Sequence, residues 1–393
     1  MTDKRNILST FLSTLIIACV VLLSAEIGTR IYLFCTGGYI WIPDHFLGVT
    51  HPPNSRFIYS ENIAKEFSNK HKTNSLGLLG NEIAVKKPAN VFRILILGDS
   101  FTEALQVKEG KSFCEQLELL LNKNRQAAGK RFEVINAGVS SYSPICEYLL
   151  FKRELTKLSP DIVILQLFAN DIFEDNKTKA MSVMDGNGMP VRINKFFTSE
   201  SMIMRPNPEK SQQVNEFIYK IQKNILNRSA MFQVIYRALQ KSNKKSRIHK
   251  QMTMLEEFND DNQFFIIQEA NPLYQNKSFM EKTWNNTQKY ILAIKDLASE
   301  LNAQFFLFYI PPEAQLKLTH YGEASGYFHR YHANNNLNDK LLKFSQEKGV
   351  KYLDLLPIFE NNKDKGLYYN WDGHMKENGH NLVTQALFEY LFK

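Results

Sequence analysis

The chain has 393 residues, 44% apolar and 22% charged, with 28 Phe and 3 Trp. That is ample for a large core and excludes disordered, collagen-like and low-complexity polymers. Four Cys are too few for a disulfide-built scaffold, and a formal charge of +8 is informative only through where it sits.

Residues 6–25, NILSTFLSTLIIACVVLLSA, carry no charge. About 20 helical residues at ~1.5 Å each cross the ~30 Å hydrocarbon layer, so the segment predicts one membrane-spanning helix. Lys4 and Arg5 precede it and only Arg30 follows within fifteen residues, a bias that places the N-terminus in the cytoplasm and the body outside. Leu23-Ser24-Ala25 lacks a small residue at the first position of a cleavage site, and the run is long for a signal peptide. The expectation is an uncleaved anchor, with a cleaved signal as the alternative. Cys19 lies within the apolar run, Cys35 just beyond it, and Cys114 and Cys146 in the body, where two buried thiols are expected rather than a disulfide. The domain boundaries are drawn at residues 1–30 for stub and anchor, 31–88 for a linker and N-terminal extension, and 89–393 for the folded body.

Runs rich in Val, Ile and Phe at 91–97, 132–135, 162–168, 305–310 and 350–355 predict strands buried on both faces. Segments 112–128, 144–158, 284–302, 335–348 and 377–392 have apolar residues at three-to-four spacing and predict helices. The alternation predicts an α/β fold, a doubly wound parallel five-stranded sheet whose functional residues follow the strands at their carboxyl ends. Residues 174–282 interrupt it as a large helical insertion, with a turn at Asp185-Gly186-Asn187-Gly188 and a helix over 212–239. Between Arg205 and Lys250 eleven basic residues face two acidic ones, a net +9 that accounts for the chain's whole excess. Such a run serves either as a solvated helix face or as a surface for anionic lipid or an acidic glycan. Nothing resembles a nucleic-acid-binding module, and no nucleic-acid partner is expected.

The first strand leads into Gly98-Asp99-Ser100, where a tight strand-to-helix turn can raise Ser100 Oγ above the sheet. The second ends in Asn136-Ala137-Gly138, the third in Phe168-Ala169-Asn170-Asp171, and Tyr369-Asn370-Trp371-Asp372-Gly373-His374 precedes the final helix. Taken singly, each is more often a turn or an N-cap than a catalytic group, and an isolated Asp-x-His is also half a metal site. Together they bring a hydroxyl, a backbone amide, a carboxamide, an imidazole and a carboxylate to one sheet edge, the parts that acyl transfer needs. His320, His329 and His332 lack a metal-site signature and are expected to be a loop cluster, and His380 is placed on the final helix. Asp99 and Asp171 are expected to hold turn backbones. No Gly-rich nucleotide loop or paired-Cys motif occurs, so no cofactor and no metal is expected.

These four segments, in this order, resemble the signature blocks of the SGNH, or GDSL-type, serine hydrolase superfamily. The resemblance implies a flavodoxin-like sheet, Ser100 as nucleophile, His374 as general base and acid, Asp372 as its orienting partner, and an oxyanion hole from the Ser100 and Gly138 amides and the Asn170 side chain. Glu26, Arg30, Asn74-Ser75-Leu76-Gly77 and Asn378-Gly379-His380 look like a membrane-anchored bacterial branch. Two positions depart from many members: Phe168 stands where they have Gly, and Trp371 where they have Asp. The Asp372-to-His374 spacing is similar to that of polysaccharide O-acetyltransferase members.

The expected function is an exported, membrane-tethered serine esterase or deacetylase acting through an acyl-enzyme on ester groups of an extracytoplasmic glycan or lipid. An O-acyltransferase of cell-envelope or secreted polysaccharide uses the same residues and requires a multi-span membrane partner to deliver the acyl donor. A catalytically silent glycan-binding protein on the same fold is the third reading.

Overall fold

In the computed structural model the described residues are 2–36, 40–44, 46–61, 63–124, 129–193, 195–197, 204–206, 221, 225–235, 277–316 and 336–392. Helix α1 runs over Thr2–Thr36. It contains one stretch, Ser9–Leu33, long and apolar enough to cross a membrane, with none of it buried against the body. The helix continues beyond residue 25, and there Glu26 pairs with Arg30 at 2.8 Å.

Between α1 and the first strand of the main sheet, where the sequence predicts a linker and extension, two hairpins form. Strands β1 (Ile42–Asp44) and β2 (Gly48–Thr50) pair antiparallel, as do β3 (Arg56–Ser60) and β4 (Ser68–Lys72). Phe46, Leu47, Val49, Phe57, Phe67 and Leu78 are buried there, so the segment is fastened to the body by apolar packing.

The main sheet consists of β5 (Val91–Gly98), β6 (Arg131–Gly138), β7 (Ile162–Leu167), β12 (Gln304–Tyr309) and β13 (Lys351–Asp354), all parallel, in spatial order β13-β12-β7-β5-β6. The five predicted strands are all present. Counted along the chain the order is 2-1-3-4-5, with the switch point between β5 and β7, where ligands bind in such sheets. Side chains alternate between two cores, as a period of two requires. Ile94 and Ile96 of β5, Ile164 of β7 and Phe308 of β12 face a core shared with α3 (Phe113–Asn124), α8 (Leu356–Glu360) and α9 (Glu377–Phe392). Leu95, Leu97, Leu165 and Leu307 face the opposite core, shared with α4 (Pro144–Leu150), α6 (Lys277–Glu300) and α7 (Asn336–Lys348). Each such side chain, fully buried, contributes about 1.5–3 kcal/mol.

The helix predicted over 144–158 is three pieces, α4 followed by π-helical Phe151–Leu155 and 3-10 Thr156–Leu158. Among the described residues, further elements before α6 are α5 (Asp171–Ala180), β8 (Ser182–Met184) paired with β9 (Pro190–Ile193), β10 (Lys195–Phe197) paired with β11 (Met204–Pro206), and a 3-10 turn at Leu226–Arg228. The predicted turn lies between β8 and β9: Asp185 Oδ1 accepts from the Asn187 and Met189 amides, at 2.9 and 2.8 Å, and Gly188 has φ +67°. Most of the helix predicted over 212–239 and of the basic run lies outside the described residues, as do His320, His329 and His332. Cys19, Cys114 and Cys146 are free thiols, the last two buried.

Candidate active site

Strand β5 is sealed in the core and ends at Gly98, where a Cβ would lie 2.3 Å from Thr102 Oγ1 and 2.5 Å from Gln166 Oε1. Only glycine fits so close an approach, and the chain turns at once into a single helical turn, α2 (Ser100–Glu103). Asp99 caps it, its Oδ1 accepting from the Phe101 amide at 2.9 Å. Gln166 of β7 accepts from Thr102 Oγ1 at 2.9 Å, and Asn136 of β6 donates to the Thr102 carbonyl at 2.7 Å. Two neighbouring strands therefore hold the turn that presents Ser100.

Before α9 the chain closes a tight loop. The Tyr369 amide donates to the His374 carbonyl at 2.8 Å and the Gly373 amide to the Tyr369 carbonyl at 3.1 Å, with Gly373 at φ +79°. This loop brings His374 over the Ser100 turn. His374 Nε2 lies 2.7 Å from Ser100 Oγ, and His374 Nδ1 lies 2.7 Å from Asp372 Oδ1. The structure thus joins Ser100, His374 and Asp372 in one series, with 274 residues separating the first two in sequence. Burial opposes a charge on His374. The charge and hydrogen bond of Asp372, with Asp99 and Glu103 beyond, outweigh it and hold the imidazole above its ordinary range.

The imidazole rests on aromatic rings. Phe101 lies 4.8 Å from His374 between centroids and 4.2 Å from Phe168. Phe168, one of the two departures noted in the sequence, is thus buried beneath the imidazole's support.

In the third segment Asn170 stands at the N-terminus of α5 without using its side chain as a cap, and its Oδ1 is buried with no partner. Asp171 turns back to accept from the Phe168 amide at 2.7 Å, which fixes the loop. The Gly138 amide donates to Asn136 Oδ1 at 2.9 Å. Its missing side chain has a packing reason: a Cβ would lie 2.2 Å from the Glu103 nitrogen and 2.6 Å from the Thr102 carbonyl carbon.

Asp99 and Asp171 hold turns, as expected, and share a buried acidic environment with Glu147. Burial raises Asp99 to about 6, against the opposing pull of the Phe101 amide and His374. Burial, reinforced by neighbouring carboxylates, pushes Asp171 and Glu147 well above the carboxylate range. Both oxygens of Glu147 are buried and have no hydrogen-bond partner. His380 is packed inside α9 against Phe113, and burial lowers it to about 3, which keeps it neutral. Among the described residues no group of three His, Cys, Asp or Glu is arranged to hold a metal ion.

Sequence reasoning did not find Glu103, Gln166 or Glu66. Glu103, three residues after Ser100, accepts from Trp41 Nε1 at 2.8 Å, contacts His51 Nε2 at 2.6 Å and takes the Ser140 hydroxyl. A lone Gln in the apolar run 162–167 was the available signal for Gln166, since a polar side chain buried in a strand has a partner. Glu66, which meets the loop bearing Asp372, carried no such signal.

A hydroxyl, an imidazole and a carboxylate in this series can move a proton off the hydroxyl as it attacks an electrophilic carbon. In structure the chain is similar to acetyl xylan esterases and a GDSL-like lipase. The acetyl xylan esterase AlAXEase aligns at TM-score 0.39 and 11% identity over 76% of this chain and all of its own. A catalytic mutant of the acetylxylan esterase Axe2 from Geobacillus stearothermophilus aligns at 0.38 and 12%, covering 77% of this chain and 95% of its own. A GDSL-like lipase from Bacteroides thetaiotaomicron aligns at 0.35 and 11%, covering 76% and 86%. No family model and no curated protein matches the sequence.

Proposed function

We propose that the chain is a membrane-tethered serine esterase of the SGNH type, with its body outside the cytoplasm, that removes ester-linked acyl groups, acetyl among them, from a glycan or lipid. The observation that carries this reading is the continuous Ser100, His374, Asp372 series with 2.7 Å at both links. Four segments at the strand ends that resemble the family's blocks support it.

In the proposed cycle Ser100 Oγ attacks the ester carbonyl carbon while His374 Nε2 takes the hydroxyl proton, and Asp372 steadies the imidazolium through Nδ1. The negative charge on the former carbonyl oxygen is met by the Ser100 amide and the Asn170 carboxamide, each such donor contributing about 3–4 kcal/mol. As the tetrahedral adduct collapses, the carbon–oxygen bond to the alcohol breaks, and the alkoxide leaves with the proton from His374. Water then attacks the acyl-serine, His374 again accepting and returning the proton, and the carboxylic acid departs.

The test is intact-mass analysis of the full chain in detergent after exposure to a fluorophosphonate, beside Ser100→Ala. One adduct mapped to Ser100 and missing from the variant is expected, followed by release of acetate from acetylated oligosaccharides. An unlabelled, folded protein overturns the reading and favours a silent glycan-binding module. Labelling with acyl passing only to a sugar hydroxyl in place of water identifies a transferase.

A further inference from the structure

Glu66 lies between β3 and β4, in the hairpin that precedes the main sheet. Its Oε1 accepts from the Asn370 amide at 2.9 Å and the Trp371 amide at 3.1 Å; its Oε2 accepts from the Trp371 amide at 3.1 Å and the Asp372 amide at 2.9 Å. Three consecutive backbone N–H groups thus converge on one carboxylate, the arrangement that charge-assisted hydrogen bonds favour.

The surroundings reinforce this grip. Phe67 packs against Tyr369 with ring centroids 5.1 Å apart, and the Tyr369 hydroxyl donates to the Gln106 carbonyl at 3.1 Å. The loop is closed on itself between Tyr369 and His374. Fixing residues 370–372 from outside therefore fixes where Asp372 Oδ1 meets His374 Nδ1.

We propose that Glu66 is the positioning residue of the proton relay, holding the 370–372 backbone so that Asp372 stays in line with His374. The assignment rests on the hydrolase reading of the site. Glu66 acts through the 370–372 backbone amides it binds, and through them on Asp372. A flexible loop in its place lets the carboxylate drift, and a misplacement of about 1 Å in such a site costs about 10²-fold in rate. Gln at this position keeps one accepting oxygen and loses the charge, so it retains part of the hold.

The experiment uses the full chain in detergent, wild type beside Glu66→Ala, Glu66→Gln and Asp372→Asn, with the double variant Glu66→Ala/Asp372→Asn. Two readouts are taken: the fluorophosphonate labelling rate at Ser100, and the downfield proton resonance of the His374–Asp372 hydrogen bond, assigned by its loss in Asp372→Asn. Glu66→Ala is expected to label about 10²-fold slower and to lose or shift the resonance, with Glu66→Gln between it and wild type. In the Asp372→Asn background Glu66→Ala is expected to add less than about twofold, because residues acting as a unit are not additive. Labelling of Glu66→Ala at the wild-type rate, or its full effect persisting without Asp372, overturns the proposal. Should Glu66→Ala fail to fold, Glu66→Gln carries the same comparison. If the wild type itself is not labelled, the hydrolase reading falls. The resonance still decides Glu66, its survival unshifted in Glu66→Ala or Glu66→Gln ruling out the positioning role.

Discussion

Gly138 approaches Glu103 so closely that a β-carbon on the glycine would lie 2.2 Å from the Glu103 backbone nitrogen. The end of β6 is thus a wall against which the Ser100 turn is cast. Gly138→Ala forces backbone rather than a flexible side chain to yield. The expected cost is about 1–3 kcal/mol of stability, with hydrolysis reduced about 10²-fold by displacement of Ser100. Thermal denaturation and ester turnover of the same sample check both.

In the proposed cycle, removal of Ser100, His374 or Asp372 has a graded outcome. Ser100→Ala and His374→Ala are expected to lower turnover by about 10⁶-fold with the fold intact. Asp372→Ala is expected to cost less, about 10⁴-fold, because the imidazole remains and only its orientation and charge partner are lost. Circular dichroism and kcat on an activated acetyl ester distinguish these from unfolding.

In the proposed cycle the acid limb of the pH profile follows from His374. The group must be neutral to accept a proton, and Asp372 holds its affinity for that proton above the ordinary imidazole range. The rate constant kcat/KM is therefore expected to rise with pH through a midpoint above about 6.5. In Asp372→Ala burial is unopposed by that charge, and the midpoint moves down while the plateau falls. A midpoint that stays put in the variant contradicts the assignment of Asp372.

Glu147 gives a prediction about stability. Its folded carboxyl is held well above the carboxylate range by burial, so the folded protein keeps a proton that the unfolded chain releases above about pH 4.3. Stability from this group is fully present below that pH and declines by about 1.4 kcal/mol per unit as pH rises, until the folded carboxyl itself ionises. Glu147→Gln removes the dependence. The melting temperature of the variant is expected to match wild type near pH 4 and to exceed it as pH rises above that.

The five strands were legible because both faces are buried, which leaves unbroken apolar runs such as that of β7. Strand ends were less so: β6 continues through Asn136, Ala137 and Gly138, whose conformation is set by contact with α2 rather than by apolar character. Ser100, Asp372 and His374, which the structure joins, were legible as polar residues following the first strand or preceding the last helix. The supports of the site were not. Glu66 acts on main-chain amides some 300 positions away, and a backbone N–H has no side-chain signature to search for. The hairpins β1–β2 and β3–β4 fall in the segment predicted as a linker and N-terminal extension; strands such as Ser68–Lys72 are polar and gain their burial from the body.

Trp41, His51 and Glu66 all precede the first strand of the main sheet, yet the first two meet the Glu103 carboxylate and the third grips the loop of Asp372. A fragment starting at residue 89 would keep every strand of the sheet and the whole Ser100, His374, Asp372 series. It would nonetheless leave Glu103 buried without two of its partners and the 370–372 amides without an acceptor. For grafting or shuffling among related proteins, the transferable cassette therefore begins near Trp41, some fifty residues ahead of the point at which the sheet begins.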